Sequence, residues 1–300
     1  MGALPAEGAP GTPAGAALAD SLRASVETLA VTFGPRPGSD PQRLRKVAEW
    51  IVRRLEDSGC PARLDPFEAG GERYWNVVAE VPGAAGPSRG ILVGAHYDTE
   101  PGTPGADDNA SGVAVLIELA ARIAARPASS RLRFAFFSLE EVPYFATSAM
   151  GSAVLARSLN RSGDPPDAMI SLEMVGYFSD LPTSQRFPHP FLRWFYPGQG
   201  NFIAFVSDLG AISFNRRLHR AFRVAAELPA ERFSAPAFVP GVDLSDHQSF
   251  AAAGVPAVMV TDTAFYRNPH YHLASDLPPT LDYRRMAGVV LGMEAALRSF

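Results

Sequence analysis

Short apolar runs alternate along this chain with longer segments of helical periodicity, and this alternation constrains the fold more than any other feature. The apolar runs are predicted strands: Trp75–Val81, Ile91–Ala95, Leu132–Leu139, Ala168–Met174, Phe202–Val206 and Pro256–Thr261. The segments between and around them are predicted helices: Leu22–Phe33, Pro41–Ser58, Gly112–Ala125, Met150–Leu159, Asn215–Glu227, Ser245–Ala253 and Leu281–Ser299. Apolar strands separated by helices are typical of a mostly parallel sheet that is covered on both faces. We therefore predict an α/β fold, a three-layer α/β/α sandwich with a mixed, mostly parallel central sheet.

Length and local composition predict how the chain is divided. The first 20 residues are rich in Gly, Pro and Ala and are expected to form a flexible leader, whereas residues 21–300 are expected to form a single domain. Within that domain the segment Phe178–Gly200 is rich in Pro, Gly and aromatic residues, which indicates a loop insertion. The sequence leaves open whether this loop forms part of a binding site or only covers the core.

Charge and cysteine content limit the possible binding partners and the cellular compartment in which the chain is expected. A net charge of −4 without clusters favours neither nucleic acid nor an anionic membrane as a partner. The longest candidate span, Val113–Ala125, is interrupted by Glu118 and Arg122, so no membrane segment is expected. Cys60 is the only cysteine, which excludes an intrachain disulfide and is consistent with a cytoplasmic protein.

Polar residues follow the ends of the predicted strands. In an open α/β sheet, ligands bind beyond the carboxyl ends of the strands, so side chains placed there are candidates for a functional site. From separate segments of the chain, these positions supply His96, Asp98, Asp107, Asp108, Glu140, Glu141, Glu173, His270 and His272.

Each of these residues alone is weak evidence, since a histidine at a strand end or an acidic pair before a helix is common. Gathered at one edge, however, they would repel one another strongly without a cation. Imidazole and carboxylate without thiolate suit zinc at a catalytic site, and a pair of ions roughly 3.5–4 Å apart would need a bridging carboxylate. Asp98, two residues beyond His96, is placed to hold the other nitrogen of that ring.

The order of these residues resembles a known family. His-x-Asp is followed by Gly-Ala-Asp-Asp-Asn-Ala-Ser-Gly, Glu-Glu, Leu-Glu-Met, Ser-Asp-His and a late histidine. This pattern is similar to that of the di-zinc exopeptidases of metallopeptidase family twenty-eight, which includes bacterial aminopeptidases, glutamate carboxypeptidase and, as relatives, the glutaminyl cyclases. The resemblance extends from about Arg43 to Phe300.

The resemblance implies a role for each matching residue. Asp108 would bridge two zinc ions, and Glu140 would be the general base, with Asp98 beside it as a supporting catalytic residue. The remaining ligands would be His96 and Glu173 for one ion, and Glu141 and His272 for the other. The resemblance also implies a cis peptide bond after the bridging aspartate, at Asp108–Asn109. Glu173 departs from the pattern, since the best-known members have aspartate there.

Some assignments remain open at this stage. His270 and His272 compete for one ligand position, which the motif gives to His272. Asp246 and His247 match a segment that lines the pocket in the family, but Ser245 or Asp246 could equally be a simple helix cap.

The reaction that the resemblance implies is hydrolysis of a terminal peptide or amide bond, with release of the N-terminal residue, by a metal-bridged hydroxide and Glu140. The substrate would be a peptide or an aminoacyl amide. Two alternatives are a glutaminyl-cyclase-type enzyme with a single zinc and a non-catalytic binding relative. Aminopeptidase and carboxypeptidase are not distinguished, because the sequence does not show whether a carboxylate or an arginine such as Arg267 faces the substrate terminus. The oligomeric state is also open.

Overall fold

A computed structural model describes residues 12–85 and 89–300 of the chain. The helices are α1 (Pro13–Glu27), α2 (Pro41–Asp57), α3 (Gly112–Ala125), α4 (Gly151–Arg161), α5 (Ile212–Ala225), α6 (His247–Ala252) and α7 (Tyr283–Arg298). The strands are β1 (Ala62–Ala69), β2 (Glu72–Val81), β3 (Ile91–His96), β4 (Leu132–Phe137), β5 (Ala168–Glu173), β6 (Ile203–Ser207), β7 (Ala230–Ser234) and β8 (Ala257–Thr261). Shorter helical turns lie at Thr28–Phe33, Ala106–Ser111, Pro190–Trp194, Ala264–Tyr266 and Pro278–Thr280. In these two ranges, every helix is too short or too polar to cross a lipid bilayer.

All eight strands form one mixed sheet in the order β1-β2-β4-β3-β5-β8-β6-β7. The central strands β4, β3, β5 and β8 run parallel to one another, so their carboxyl ends lie at the same edge. Antiparallel pairs join β1 to β2, β2 to β4 and β6 to β8, and β7 pairs in parallel with β6. The predicted mixed and mostly parallel sheet is confirmed.

Successive residues of the central strands point to opposite faces of the sheet and enter different cores. In β3, Ile91, Val93 and Ala95 join the large core that also holds buried residues of α1, α2, α3, α5 and α7. Leu92 points the other way, into a smaller core with residues of α4 and α6. Because both faces of the central strands are covered by helices, the sequence there is almost continuously apolar. The three-layer sandwich is therefore confirmed.

Helix α2 shows how local sequence sets a boundary. Asp40 caps its N-terminus by accepting a hydrogen bond from the Arg43 backbone N–H at 2.9 Å, and Pro41 occupies the first turn, where its missing N–H has no cost. Its buried stripe consists of Leu44, Val47, Ala48, Ile51 and Leu55. Gly59, with φ of 78°, follows the last turn and supplies the left-handed conformation that ends many helices.

Two strands, β1 and β7, were not predicted from the sequence. Both lie at the outer edges of the sheet, where only one neighbour is available for pairing. Their residues are largely half-buried or exposed, and β1 contains Pro66, which an edge strand tolerates. Without a continuous apolar run or strict alternation, such strands have no clear pattern in the sequence.

The prediction of a flexible leader over residues 1–20 is wrong for residues 13–20, which are helical. Helix α1 begins at Pro13, with Thr12 as its cap, and Leu18 and Leu22 are buried against the core shared with α7. The Ala-rich composition that suggested a floppy segment is also strongly helix-forming, and tertiary packing decides the outcome. Residues 1–11 lie outside the described ranges.

Replacing Leu18 by alanine tests this packing directly. Leu18 is only 7% exposed, so we expect L18A to lower the free energy of unfolding by about 2 kcal/mol. The measurement is chemical denaturation, with V224A as a control, because Val224 lies on α5 and is 84% exposed. Equal stability of the two variants would show that Leu18 does not contribute to the core.

Candidate active site

The predicted site residues meet at the edge where the four parallel strands end. His96 and Glu173 are the last residues of β3 and β5, and Glu140 and Glu141 follow β4 by a few residues. The other two predicted ligands lie in loops: Asp108 in the turn before α3, and His272 beyond β8. His96, Asp108, Glu140, Glu141 and Glu173 are all buried, whereas His272 is partly exposed.

One half of the site is built around His96. Its Nε2 atom lies 3.3 Å from Asp108 Oδ1 and 3.3 Å from Glu173 Oε2. Zinc bonds of about 2.0–2.1 Å in a tetrahedron put neighbouring ligand atoms roughly 3.3–3.4 Å apart. Both distances from His96 are therefore those of ligands around one small ion, and ligand atoms of all three residues lie within 4.8 Å of one another.

The other half is built around His272. Its Nε2 atom lies 3.1 Å from Asp108 Oδ2 and 3.6 Å from Glu141 Oε2, so it stands between these two carboxylates. Asp108 thus directs one oxygen to each imidazole, which is the arrangement expected of a carboxylate that bridges two ions. Glu141 and His272 also form a group with Glu100, in which one ligand atom from each residue lies within 4.8 Å of the others.

Asp98 holds the carboxylates of β4 in place. Its Oδ1 accepts a hydrogen bond from the Glu140 backbone N–H and its Oδ2 one from that of Glu141, both at 3.1 Å. Its Oδ1 also lies 3.5 Å from His96 Nδ1, and its carbonyl oxygen lies 3.2 Å from the same nitrogen. Asp98 therefore links the ring predicted to bind metal with the turn that carries Glu140 and Glu141.

Hydrogen bonds also fix the turn that carries Asp108. Both carboxylate oxygens of Asp276 accept backbone N–H groups, from Asp107 at 2.9 Å and Asp108 at 3.1 Å. The Asn109 side chain donates to the Leu172 carbonyl oxygen at 2.8 Å and accepts from the Met174 N–H at 3.1 Å, which ties the turn to β5. The peptide bond between Asp108 and Asn109 is cis, as the resemblance implied.

The backbone next to the site adopts unusual conformations. Leu139, Met174 and His272 have φ values of 63°, 48° and 56°, in the left-handed region that side chains other than glycine rarely occupy. Leu139 immediately precedes Glu140, and Met174 immediately follows Glu173. Such conformations are concentrated at functional sites, where the surrounding structure enforces them.

Glu173 is held by a serine that the sequence left ambiguous. Ser245 Oγ donates a hydrogen bond to Glu173 Oε2 at 2.9 Å, and Ser171 Oγ lies 2.8 Å from Ser245 Oγ. No side-chain hydrogen bond caps the start of α6, which lies wholly in the described chain, so the interpretation of Ser245 or Asp246 as a simple cap is wrong. Asp246 is fully buried beside the cluster, and His247 is bonded to the Val242 carbonyl oxygen at 2.7 Å.

Charge crowding is the main electrostatic feature of the site. Burial raises the pKa of Glu140 and Glu141 well above the ordinary value, and the negative charges of nearby carboxylates raise both further, while His96 opposes the shift. Burial alone would lower the pKa of His96, but the charges of Glu173 and Glu140 raise it well above the usual range. So many buried acids with so little positive charge among the protein groups indicate that a cation belongs there.

The donor set suits zinc. All the predicted ligand atoms are imidazole nitrogens or carboxylate oxygens, and Cys60, the only cysteine, is buried elsewhere in the core. This mixture of donors is typical of catalytic zinc sites, and the ligand spacing around His96 matches zinc bond lengths. The residues present therefore fit the metal that the resemblance implies.

A mostly apolar cavity of about 110 Å³ opens beside the His96 half of the site. Glu173 and Tyr271 border it on the side of the acid cluster. Its apolar walls come from the Pro- and aromatic-rich loop, from β6, β7 and β8, and from later loops, and include Phe187, Leu192, Tyr196, Phe202, Val206, Phe233, Met259 and Phe265. The loop insertion predicted at Phe178–Gly200 thus contributes to the cavity wall, although Phe191, Trp194 and Phe195 of the same loop are exposed.

Sequence reasoning missed several residues that shape the site: Glu100, Ser171 and Asp276. Glu100 lies in the same loop as Asp98, four residues after His96, and this position could have identified it as a candidate site residue from the sequence. Asp276 had no signal, because it lies far along the chain and contributes through backbone hydrogen bonds. His270 is bonded to Ser275 Oγ at 2.9 Å and belongs to neither half of the site.

Comparisons with known proteins identify the family. The family model for Peptidase family M28 matches residues 76–295. The uncharacterised protein YfbL of Escherichia coli K12 is 39% identical over 282 residues, which cover 91% of this chain and 86% of that protein. A probable leucine aminopeptidase of Arthroderma otae is 25% identical over 272 residues, covering 83% of this chain but only 65% of its own length.

Solved structures share the fold. The zinc aminopeptidase BSAP of Bacillus subtilis superimposes with a TM-score of 0.71 at 15% identity, covering 94% of each chain. A glutaminyl cyclase of Bacteroides thetaiotaomicron superimposes with a TM-score of 0.69 at 18% identity, covering 94% of this chain and 98% of its own. At such low identities these likenesses establish architecture alone, and it is the match of the family model that shows the chain to be a member of Peptidase family M28.

Proposed function

We propose that this chain is a zinc-dependent aminopeptidase that removes N-terminal residues with apolar side chains. One observation carries the proposal: an apolar cavity meets the cluster of acids and imidazoles at Glu173 and Tyr271. An apolar side chain in the cavity would bring the adjoining peptide bond to the cluster. The names of the curated relatives, several of them leucine aminopeptidases, agree with this proposal.

The metal ligands proposed here are His96, Asp108 and Glu173 for one ion, and Asp108, Glu141 and His272 for the other. When bound, two zinc ions would acidify a water molecule and polarise the scissile carbonyl. The protein holds the proposed ligands in position at the edge where the four parallel strands end. Hydrogen bonds of Asp98, Ser245 and Asp276 supply this support.

Glu140 is the residue available to move a proton. Glu141 is engaged, since its Oε1 accepts the Glu100 N–H at 3.1 Å and its Oε2 faces His272. Among residues 12–85 and 89–300, no hydrogen bond engages the Glu140 carboxylate, although Asp98 fixes its backbone. Glu140 can therefore accept a proton from the attacking water at one of its carboxylate oxygens and deliver it to the departing amine.

Charge favours the amino terminus of the substrate. A group attached next to the side chain in the cavity would lie beside Glu173, which borders the cavity, with Glu140 and the fully buried Asp246 close to that carboxylate. These acids favour an ammonium group over a carboxylate. Arg267, the arginine considered as a receptor for a substrate carboxylate, is buried and donates to Gln185 Oε1 at 3.0 Å and to the Phe202 carbonyl oxygen at 2.8 Å. Arg267 is therefore held inside the protein by these hydrogen bonds and does not line the cavity, which supports an aminopeptidase over a carboxypeptidase.

A glutaminyl-cyclase-type reaction is the second candidate, because the fold is shared with a glutaminyl cyclase. The presence of all five proposed ligand positions supports two ions and hydrolysis instead. Metal content, measured together with activity on leucine amide and on a substrate with N-terminal glutamine, separates the two functions.

Several expectations remain predictions. They are the binding of two ions per chain, the cytoplasmic location inferred from the single cysteine, the absence of nucleic-acid and membrane partners, and the organisation of residues 21–300 as one domain.

Replacing Glu140 by glutamine tests the proposed base. Glutamine keeps the size of the side chain but cannot accept the proton, so we expect E140Q to lower kcat by roughly 10²–10⁴-fold with zinc content unchanged. Turnover of leucine p-nitroanilide and metal content by mass spectrometry are the measurements, with E56Q as a control because Glu56 is exposed on α2. Unimpaired turnover in E140Q would exclude Glu140 as the base.

Filling the cavity tests the substrate preference. Val206 lies in the cavity wall, so V206F should reduce kcat/KM for leucine amide at least about tenfold more than for alanine amide, because it removes space that only the larger side chain needs. V224F, a matched change at an exposed valine of α5, should leave the ratio unaltered. An unchanged leucine-to-alanine ratio in a folded, zinc-loaded V206F would show that the cavity does not bind the substrate side chain.

A further inference from the structure

Glu100 is a partly buried acid at the His272 half of the site. It lies in the loop that follows β3, two residues after Asp98, and its backbone N–H donates to Glu141 Oε1 at 3.1 Å. Ligand atoms of Glu100, Glu141 and His272 all lie within 4.8 Å of one another. Glu100 therefore belongs to the same group of possible ligand atoms as two of the residues that the family pattern places at this half of the site.

One oxygen of Glu100 has no partner. Its Oε2 atom is shielded from solvent, and in the described part of the chain no donor reaches it. A carboxylate oxygen removed from water without a hydrogen bond or a cation is costly, so a buried oxygen of this kind normally has a positive group beside it. The neighbouring carboxylate of Glu141 makes that need greater.

Two kinds of cation could occupy the space beside Glu100: a metal ion or a positively charged group of the substrate. The cavity proposed to bind the first side chain of the substrate is bordered by Glu173, on the His96 half, and Glu100 is not among its lining residues. The amino group next to that side chain would therefore lie on the opposite half of the site from Glu100. His272 and Glu141, in contrast, are the immediate neighbours of Glu100.

We propose that Glu100 is an additional ligand of the metal ion held by His272, Glu141 and Asp108. This inference rests on the proposed function, because it takes the two-metal site as given. The ion at this half would then have three carboxylates and one imidazole. The ion at the His96 half would have two carboxylates and one imidazole, because Glu140, which also forms a group of possible ligand atoms with His96 and Glu141, is assigned as the base.

The extra carboxylate makes the two halves chemically different. Carboxylate-rich sites suit manganese and other hard ions, while imidazole favours zinc. The His272 half should therefore accept Mn²⁺ more readily than the His96 half. Removing Glu100 should weaken binding at the His272 half and shift its preference toward zinc.

The experiment is metal titration of metal-free protein, prepared with a chelator, for the wild type and E100Q. Isothermal titration with Zn²⁺ and with Mn²⁺ gives the affinity of each step, and Co²⁺ titration followed by visible absorption reports the ligands of each ion. E72Q is the control, because Glu72 is exposed on β2 and belongs to none of the groups of possible ligand atoms found in the described ranges. Thermal denaturation of each metal-free variant shows that it is folded.

In E100Q we expect one binding step to weaken by about tenfold or more, with a larger loss for Mn²⁺ than for Zn²⁺, and the other step to match the wild type. The absorption of one bound Co²⁺ should change, and E72Q should bind as the wild type does. Unchanged affinities and spectra in E100Q would overturn the proposal. A second result would also overturn the proposal: E100Q binds metal as the wild type does, but its KM is raised only for substrates with a cationic residue after the cleaved bond. Glu100 would then contact the leaving group of the substrate and not the metal.

Failure of the proposed function would look different. If the wild type itself took up no ion at a second step, the two-metal site would be wrong whatever E100Q did. If the wild type bound two ions and E100Q were indistinguishable from it, only the role of Glu100 would be lost.

Discussion

Repulsion between buried carboxylates is the constraint on which the rest of the structure depends. The ends of β3, β4 and β5 bring acids to one edge of the sheet, where His96 and His272 are their closest partners of opposite charge. Burial and mutual repulsion raise the pKa of Glu140, Glu141 and Glu173, which shows how unfavourable their joint ionisation is in the protein alone. Divalent cations would turn this unfavourable arrangement into a binding site, since they would supply the missing charge at the point where the acids converge.

The protein maintains this arrangement with hydrogen bonds that arrive from distant parts of the chain. Asp98 fixes the turn after β4, Ser245 fixes Glu173, and Asp276 fixes the turn with Asp107 and Asp108. Arg36 is fully buried and donates to backbone carbonyl oxygens of Tyr97, Pro104 and Gly105, which ties the loop between His96 and Asp108 to the segment after α1. The proposed ligands thus stand on a rigid frame, which would need little reorganisation to bind metal.

In the proposed function, the cluster of acids and imidazoles carries out the reaction, and the cavity beside it selects the side chain of the substrate. Of the proposed metal ligands, His96 and Glu173 end central strands and Glu141 follows another, where both faces of the sheet are covered, whereas Asp108 and His272 lie in loops at the same edge. The cavity lies beside them at the β6 and β8 part of the sheet, where loops rather than helices cover one face.

The sequence by itself determined the α/β class, the central strands and the positions of the proposed ligands. Strands that are buried on both faces must be apolar throughout, so they can be recognised in the sequence as apolar runs. Ligand-binding residues of such a sheet lie just after the ends of these runs, so their positions can be recognised as well. The tertiary structure alone decided the edge strands β1 and β7, the packing of α1, and the positions of Glu100, Ser245 and Asp276 beside the proposed ligands. These depend on which distant segments meet, and edge pairing, helix docking and backbone hydrogen bonds impose little on the identity of the residues that make them.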